Sequence, residues 1–128
     1  MAKKRILLIE DSDDIQAIVQ LILEDEGYEV VAANPRPVTE WINDNADLIV
    51  LDEWINEQEG HMLCREIKKM QILKHVPVII FSTAPNIEAI VETCGAEGFV
   101  RKPFDIDDLL KEINRCLYKK GSSKVTLI

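Results

Sequence analysis

The chain has 128 residues, which is enough for one domain with a substantial core, and its formal net charge is −8 at pH 7. This acidic balance argues against binding to nucleic acid or to an anionic membrane surface, because both need cationic side chains. No apolar run approaches the roughly 20 residues of a membrane-spanning helix and no signal-peptide pattern is present, so we expect a cytoplasmic protein.

Short apolar runs alternate along the chain with stretches of helical periodicity. Strands are predicted at 5–9, 29–33, 48–52, 77–82 and 98–101. Helices are predicted at about 13–26, 37–44, 61–71, 86–94 and 105–118. Three of the runs, the first, third and fourth, are continuously apolar, as strands covered on both faces should be. The alternation predicts one α/β domain with a doubly wound, five-stranded parallel sheet and helices on both faces.

Helical spacing also predicts which side chains enter the core. In the first helix these are Ile15, Ile18, Val19, Ile22 and Leu23. In the last helix they are Ile106, Leu109, Leu110, Ile113 and Leu117. Ser12 is expected to cap the first helix and Gly27 to end it. The domain is expected to cover residues 1–120, followed by a short tail at 121–128 with no output domain.

The three cysteines give no sign of a disulfide framework. Cys64, Cys94 and Cys116 are odd in number and form no CxxC pair. Free cysteines of this kind usually pack as small hydrophobic residues. We therefore expect three reduced thiols inside the protein.

Charged residues stand where three of the predicted strands end. Glu10 and Asp11 follow the first strand, Asp52 ends the third, and Lys102 follows the fifth. Because central strands of an open parallel sheet end in one crevice, the three carboxylates and the lysine are expected to converge there. Clustered carboxylates repel one another unless a cation lies among them, and hard oxygen ligands with room for water suit Mg²⁺. One carboxylate is then available to attack phosphorus.

These residues resemble the response-regulator receiver domain, the phosphoryl-accepting half of a two-component system. The matching pieces, in the family's order, are Glu10-Asp11, Asp52 with Gly60 eight residues later, Ser82, and Lys102-Pro103-Phe104. They cover residues from about 4 to 118. The resemblance implies the flavodoxin-like strand order 2-1-3-4-5 that chemotaxis regulators have.

The resemblance also implies a metal site. Asp52 would accept the phosphoryl group and bind Mg²⁺ together with Glu10, Asp11 and the backbone carbonyl of Trp54. Lys102 would pair with Asp52 at rest and with a phosphoryl oxygen afterwards.

A hydroxyl group would bind the phosphoryl oxygen and report the modification. The residue in that position is Ser82, although a one-residue slip would exchange it for Thr83. The family leads us to expect a cis Lys102-Pro103 peptide bond. Phe99 stands where the family usually has a tyrosine, and without a hydroxyl to hold it outward its ring is expected to be largely buried.

By resemblance, a histidine kinase or a histidine-phosphotransfer protein would phosphorylate the protein. Phosphorylation would then change its contacts with a downstream protein target. It would act as an acceptor with autodephosphorylation and not as a turnover enzyme. The main alternative is a degenerate receiver that acts as a phosphorylation-independent scaffold.

Two other classes fit less well. A flavin carrier needs a loop rich in hydroxyls and glycine after the first strand, and here that loop is acidic. A phosphatase of the haloacid-dehalogenase type has a second aspartate two residues after its nucleophile, where this chain has Trp54.

Overall fold

The computed structural model describes residues 3–10, 12–33, 45–55 and 58–126, without the side chains of 33, 54, 55, 58, 59 and 119–126. In chain order the elements are β1 (Arg5–Ile9), α1 (Asp13–Asp25), β2 (Glu29–Ala33), β3 (Leu48–Asp52), β4 (Trp54–Ile55), β5 (Gln58–Glu59), α2 (Gly60–Lys69), β6 (Val78–Ser82), α3 (Ile87–Cys94), β7 (Gly98–Arg101) and α4 (Ile106–Thr126). The predicted helix at 37–44 lies outside the described residues.

Five parallel strands form the main sheet, in the order β2-β1-β3-β6-β7. Since β6 and β7 are the fourth and fifth strands of this sheet, the order is the expected 2-1-3-4-5. All five predicted strands agree with the structure to within one residue at each end. A small antiparallel hairpin, β4-β5, was not predicted from the sequence.

Alternation along the central strands divides the core into two layers. In β1, Leu7 and Ile9 face one side of the sheet, whereas Ile6 and Leu8 face the other. The first side packs against α2 and α3 through Leu63, Cys64, Ile67, Ile87 and Cys94. The second side packs against α1 and α4 through Val19, Leu23, Leu109, Ile113 and Cys116. Burial on both faces explains why the central strands are apolar at every position.

The ends of α1 follow the expected chemistry. The backbone N–H of Ile15 donates to Ser12 Oγ at 3.3 Å, which is the predicted cap. Gly27, just beyond the helix, has a φ of 94°, a conformation that glycine adopts without steric cost.

The prediction for the end of α4 was wrong, because the helix continues past residue 118 to Thr126. No proline stops it, and the single Gly121 costs only about 1 kcal/mol in a helix.

Two residues expected in the core are exposed. Ile18 is 54% exposed, because α1 contacts the sheet through Val19 and Leu23 and Ile18 is rotated about 100° from Val19. Ile106 is 52% exposed. It is the first residue of α4, and the helix reaches the sheet only one turn later, at Leu109.

The three cysteines are free and buried, as expected. The Cys64 thiol donates to the backbone carbonyl of Cys94 at 3.5 Å and so links α2 to α3. A hydrogen bond with the Cys94 side chain, together with burial, raises the pKa of Cys64 and keeps it a neutral thiol.

Side chains from α4 cover the open edge of β7. Glu112 Oε2 accepts a hydrogen bond from the backbone N–H of Phe99 at 3.1 Å, and Arg115 donates to the carbonyl of Glu97 at 2.8 Å. These two contacts occupy backbone groups in β7 and just before it, which makes the edge a poorer template for another strand. In the part of the chain that the structure describes, no helix is long and apolar enough to cross a bilayer.

Gly60 should be intolerant of a side chain. It begins α2, and an added Cβ would collide with the backbone carbonyl of Asp52, which cannot move without shifting β3. We expect Gly60→Ala to lower the free energy of unfolding by about 1–3 kcal/mol, measured by urea denaturation.

Gly27→Ala is the control, since open space surrounds it and only its positive φ is strained, at about 1–2 kcal/mol. A Gly60→Ala protein as stable as wild type would contradict the close packing of Gly60 against the Asp52 carbonyl.

Candidate functional site

Three of the predicted site residues meet at the carboxyl ends of the strands. Glu10 follows β1, Asp52 ends β3 and Lys102 follows β7. The Lys102 ammonium donates to Asp52 Oδ1 at 2.6 Å and lies 3.8 Å from Glu10 Oε1. Both acids are buried, with exposed fractions of 3% for Glu10 and 8% for Asp52. Two carboxylates therefore share one amine in a nearly closed crevice.

The Glu10 carboxyl is held in place but incompletely satisfied. Its Oε2 accepts from the backbone N–H of Ser12 at 3.1 Å, whereas the buried Oε1 has no hydrogen-bond partner in the part of the chain that the structure describes. Burial, assisted by the neighbouring Asp52 carboxyl, raises the pKa of Glu10 to about 7. Burial is the main cause of this shift, so the ionised form of the carboxyl is disfavoured where it lies, although the Lys102 ammonium partly offsets the effect.

Asp52 is fixed by two hydrogen bonds that converge on one oxygen. Oδ1 accepts from Lys102 Nζ and, at 2.9 Å, from the backbone N–H of Glu53. The side chain keeps 11% of its surface exposed, so a small reactant has access to it.

Ser82 ends β6 and is 1% exposed, whereas Thr83 next to it is exposed. The Ser82 hydroxyl donates to Glu53 Oε1 at 2.7 Å, and its oxygen accepts from the backbone N–H of Ala84 at 2.9 Å. The sequence predictions did not include Glu53. Its only signal there was an acidic residue directly after the acceptor.

The other predicted metal ligands are described only in part. Asp11 lies outside the described residues, and of Trp54 only the backbone is described, as the start of β4 paired with Glu59. Within residues 3–10, 12–33, 45–55 and 58–126, no group of three or more His, Cys, Asp or Glu side chains is arranged to hold a metal ion.

The segment around Lys102 has the expected backbone form, because the Lys102-Pro103 peptide bond is cis.

Phe99, in β7, is partly buried and packs against the core beside α2 and α3. The Arg101 guanidinium lies 5.4 Å from the centre of the Phe99 ring and pairs with Glu88 of α3.

The arrangement of strands and charged residues corresponds to a known family. The family model described as "response regulator receiver domain" matches residues 6–114 of this chain. The chain belongs to this family. Receiver domains of this kind accept phosphoryl groups in two-component signalling.

Two curated relatives match this chain over only part of their own length. The chain is 31% identical over 116 residues to the CAI-1 autoinducer sensor kinase/phosphatase CqsS of Vibrio cholerae, covering 87% of this chain and 17% of that protein. It is 32% identical over 120 residues to the response regulator ArlR of Staphylococcus saprophyticus, covering 91% of this chain and 53% of that protein. The chain thus spans about a sixth and about half of these relatives.

Solved structures show the same fold. The chemotaxis protein CheY4 of Vibrio cholerae superimposes with a TM-score of 0.82 at 27% sequence identity, covering 91% of this chain and all of that one. This likeness agrees with the strand order of the main sheet.

The ion pair between Lys102 and Asp52 should contribute measurably to stability. Lys102→Met, Asp52→Asn and the double variant form a cycle that isolates the pair. Because the pair is largely shielded from water, we expect a coupling free energy of about 1–3 kcal/mol from urea denaturation.

A second cycle, on the exposed pair of Arg101 and Glu88, serves as the control. Their side chains are 48% and 71% exposed, so the coupling free energy of this pair should be less than about 1 kcal/mol. Equal coupling in the two cycles would argue against a special environment around Asp52.

Proposed function

We propose that this receiver accepts a phosphoryl group on Asp52 in a Mg²⁺-dependent reaction. The observation that carries the proposal is the 2.6 Å contact between Lys102 Nζ and Asp52 Oδ1 beside a second buried carboxylate, that of Glu10. Phosphoryl transfer needs little from a protein beyond positioning and neutralisation of charge. A carboxylate at the end of a buried strand with one fixed amine beside it supplies both.

The residues present suit a hard divalent cation. Among the described residues, no group donates a hydrogen bond to the buried Glu10 Oε1, and a buried polar atom in that condition is costly. Glu10 and Asp52 would hold the ion, and the family resemblance adds Asp11 and the carbonyl of Trp54. When bound, Mg²⁺ supplies positive charge to the crevice and to the incoming phosphoryl oxygens.

The reaction itself is a displacement at phosphorus. A carboxylate oxygen of Asp52 attacks, the bond between phosphorus and a histidine nitrogen of the donor breaks, and the electron pair stays on that nitrogen. Lys102 then moves from pairing with the carboxylate alone to neutralising a phosphoryl oxygen. The Ser82 hydroxyl binds another phosphoryl oxygen and couples the modification to β6.

The proposed partners are a histidine kinase or histidine-phosphotransfer protein, which donates the phosphoryl group, and a downstream protein target. One relative of this chain is named a sensor kinase/phosphatase, which supports a donor of that class. Nucleic acid and membrane are not among the proposed partners. The proposal includes a cytoplasmic location and an acceptor that autodephosphorylates without turning over as an enzyme.

The phosphoryl acceptor can be identified by intact mass. After incubation with a small-molecule phosphodonor and Mg²⁺, wild type should gain the mass of one phosphoryl group. Asp52→Asn should gain none, because an amide cannot form the acyl phosphate, and wild type in EDTA should gain little.

Asp107→Asn, which changes an exposed acid of α4, is the matched control and should react like wild type. Uptake by Asp52→Asn equal to that of wild type would overturn the assignment. Absence of uptake in every protein would favour the scaffold alternative.

Binding of Mg²⁺ should also stabilise the fold before any phosphoryl transfer. A ligand that binds only the folded state at 100 times its Kd adds about 2.7 kcal/mol to the free energy of unfolding. Saturating Mg²⁺ should therefore raise the Tm of wild type but not of Glu10→Gln, as measured by calorimetry.

Glu66→Gln, at an exposed position of α2, should respond like wild type. A Tm increase of the same size in Glu10→Gln would place the ion elsewhere.

A further inference from the structure

Glu53 occupies an unusual place beside the acceptor. Its backbone N–H donates both to Asp52 Oδ1 and to the carbonyl of Phe81, each at 2.9 Å, so its main chain is anchored between β3 and β6. From that anchor the side chain reaches the Ser82 hydroxyl at 2.7 Å. A charged side chain one residue from the acceptor therefore binds the group that should bind the phosphoryl oxygen.

A serine hydroxyl has one proton to donate. In this structure that proton goes to Glu53, and Ser82 is almost fully buried, so water has little access to replace the carboxylate. The Ala84 N–H holds the same oxygen from another direction. Ser82 can donate to a phosphoryl oxygen only after it leaves Glu53.

We propose that Glu53 is a positioning residue that competes with the phosphoryl group for the Ser82 hydroxyl and so restrains the resting receiver. The inference rests on the proposed function. Hydrogen bonds to an ionised acceptor are stronger than neutral ones, which favours the resting contact. A phosphoryl group on Asp52 brings further negative charge beside Glu53, so the competition is resolved by release of Ser82.

The test uses the full chain and beryllofluoride, a non-covalent phosphoryl mimic, in saturating Mg²⁺. Its Kd is measured by calorimetry for wild type, Glu53→Ala, Glu53→Gln, Ser82→Ala and the double variant Glu53→Ala/Ser82→Ala. Glu53→Ala should bind the mimic about tenfold more tightly, equivalent to about 1.4 kcal/mol. Glu53→Gln retains an uncharged acceptor and should lie between Glu53→Ala and wild type.

The double variant separates competition for the hydroxyl from simple removal of a negative charge. In the Ser82→Ala background, Glu53→Ala should change the Kd by less than about twofold, because no hydroxyl remains to compete for. An equal gain with and without Ser82 would overturn the inference, as would no gain in the single variant. Failure of wild type to bind the mimic would overturn the proposed function as well.

The Ala84 amide gives a second measurement that needs no ligand. Its N–H donates to Ser82 Oγ, so its NMR resonance reports the position of that oxygen. In ligand-free Glu53→Ala the resonance should move toward its position in mimic-bound wild type, with the rest of the spectrum indicating a folded protein. A resonance unchanged from resting wild type would show that Glu53 does not hold Ser82.

Discussion

Carboxylates are costly to bury, and this receiver buries those of Glu10 and Asp52 in contact with the same Lys102 amine. Three strands have to end at one level for this to happen. Lys102 comes from the loop after β7, and its 2.6 Å contact with Asp52 ties that loop to the centre of the sheet. Glu10 Oε1 is buried 3.8 Å from that amine, and no described residue gives it a hydrogen bond. The remaining demand for positive charge is what makes a cation site physically reasonable here.

The level at which the strands end follows from their register. Ile9 pairs with Leu51, and Asp52 pairs with Phe81, so the acceptor lies one residue beyond the last buried apolar pair of β1 and β3. A slip of one residue would exchange the faces of every strand side chain, and the two core layers would lose their fit to the helices. The same apolar packing that stabilises the sheet therefore positions the polar site.

The three central strands were predictable because uninterrupted apolar runs leave few alternatives for a chain with helices between them. The meeting of Glu10, Asp52 and Lys102 was also predicted, because each stands at the end of a strand and the family resemblance supplies the strand order and the role of the lysine. Contacts that depend on how a helix faces the sheet, or on a side chain reaching a distant residue, could not be predicted from the sequence. Ile18 has the right helical spacing but lies outside the narrow line of contact between α1 and the sheet. The contact of Glu53 with Ser82 joins residues 29 positions apart and leaves no pattern in the sequence.

Glu53 adds a third acidic side chain to the surroundings of the acceptor. Glu10 and Asp52 contact the Lys102 ammonium, and Glu53 contacts the Ser82 hydroxyl. Adding a phosphoryl group of about −1.5 to −2 charge to that set is unfavourable unless a cation enters or an acidic side chain moves away. Glu53 is the acid best able to move, because it is only partly buried and its backbone bonds would persist as its side chain turns. Its movement would also free Ser82, so relief of repulsion and release of the hydroxyl are the same event.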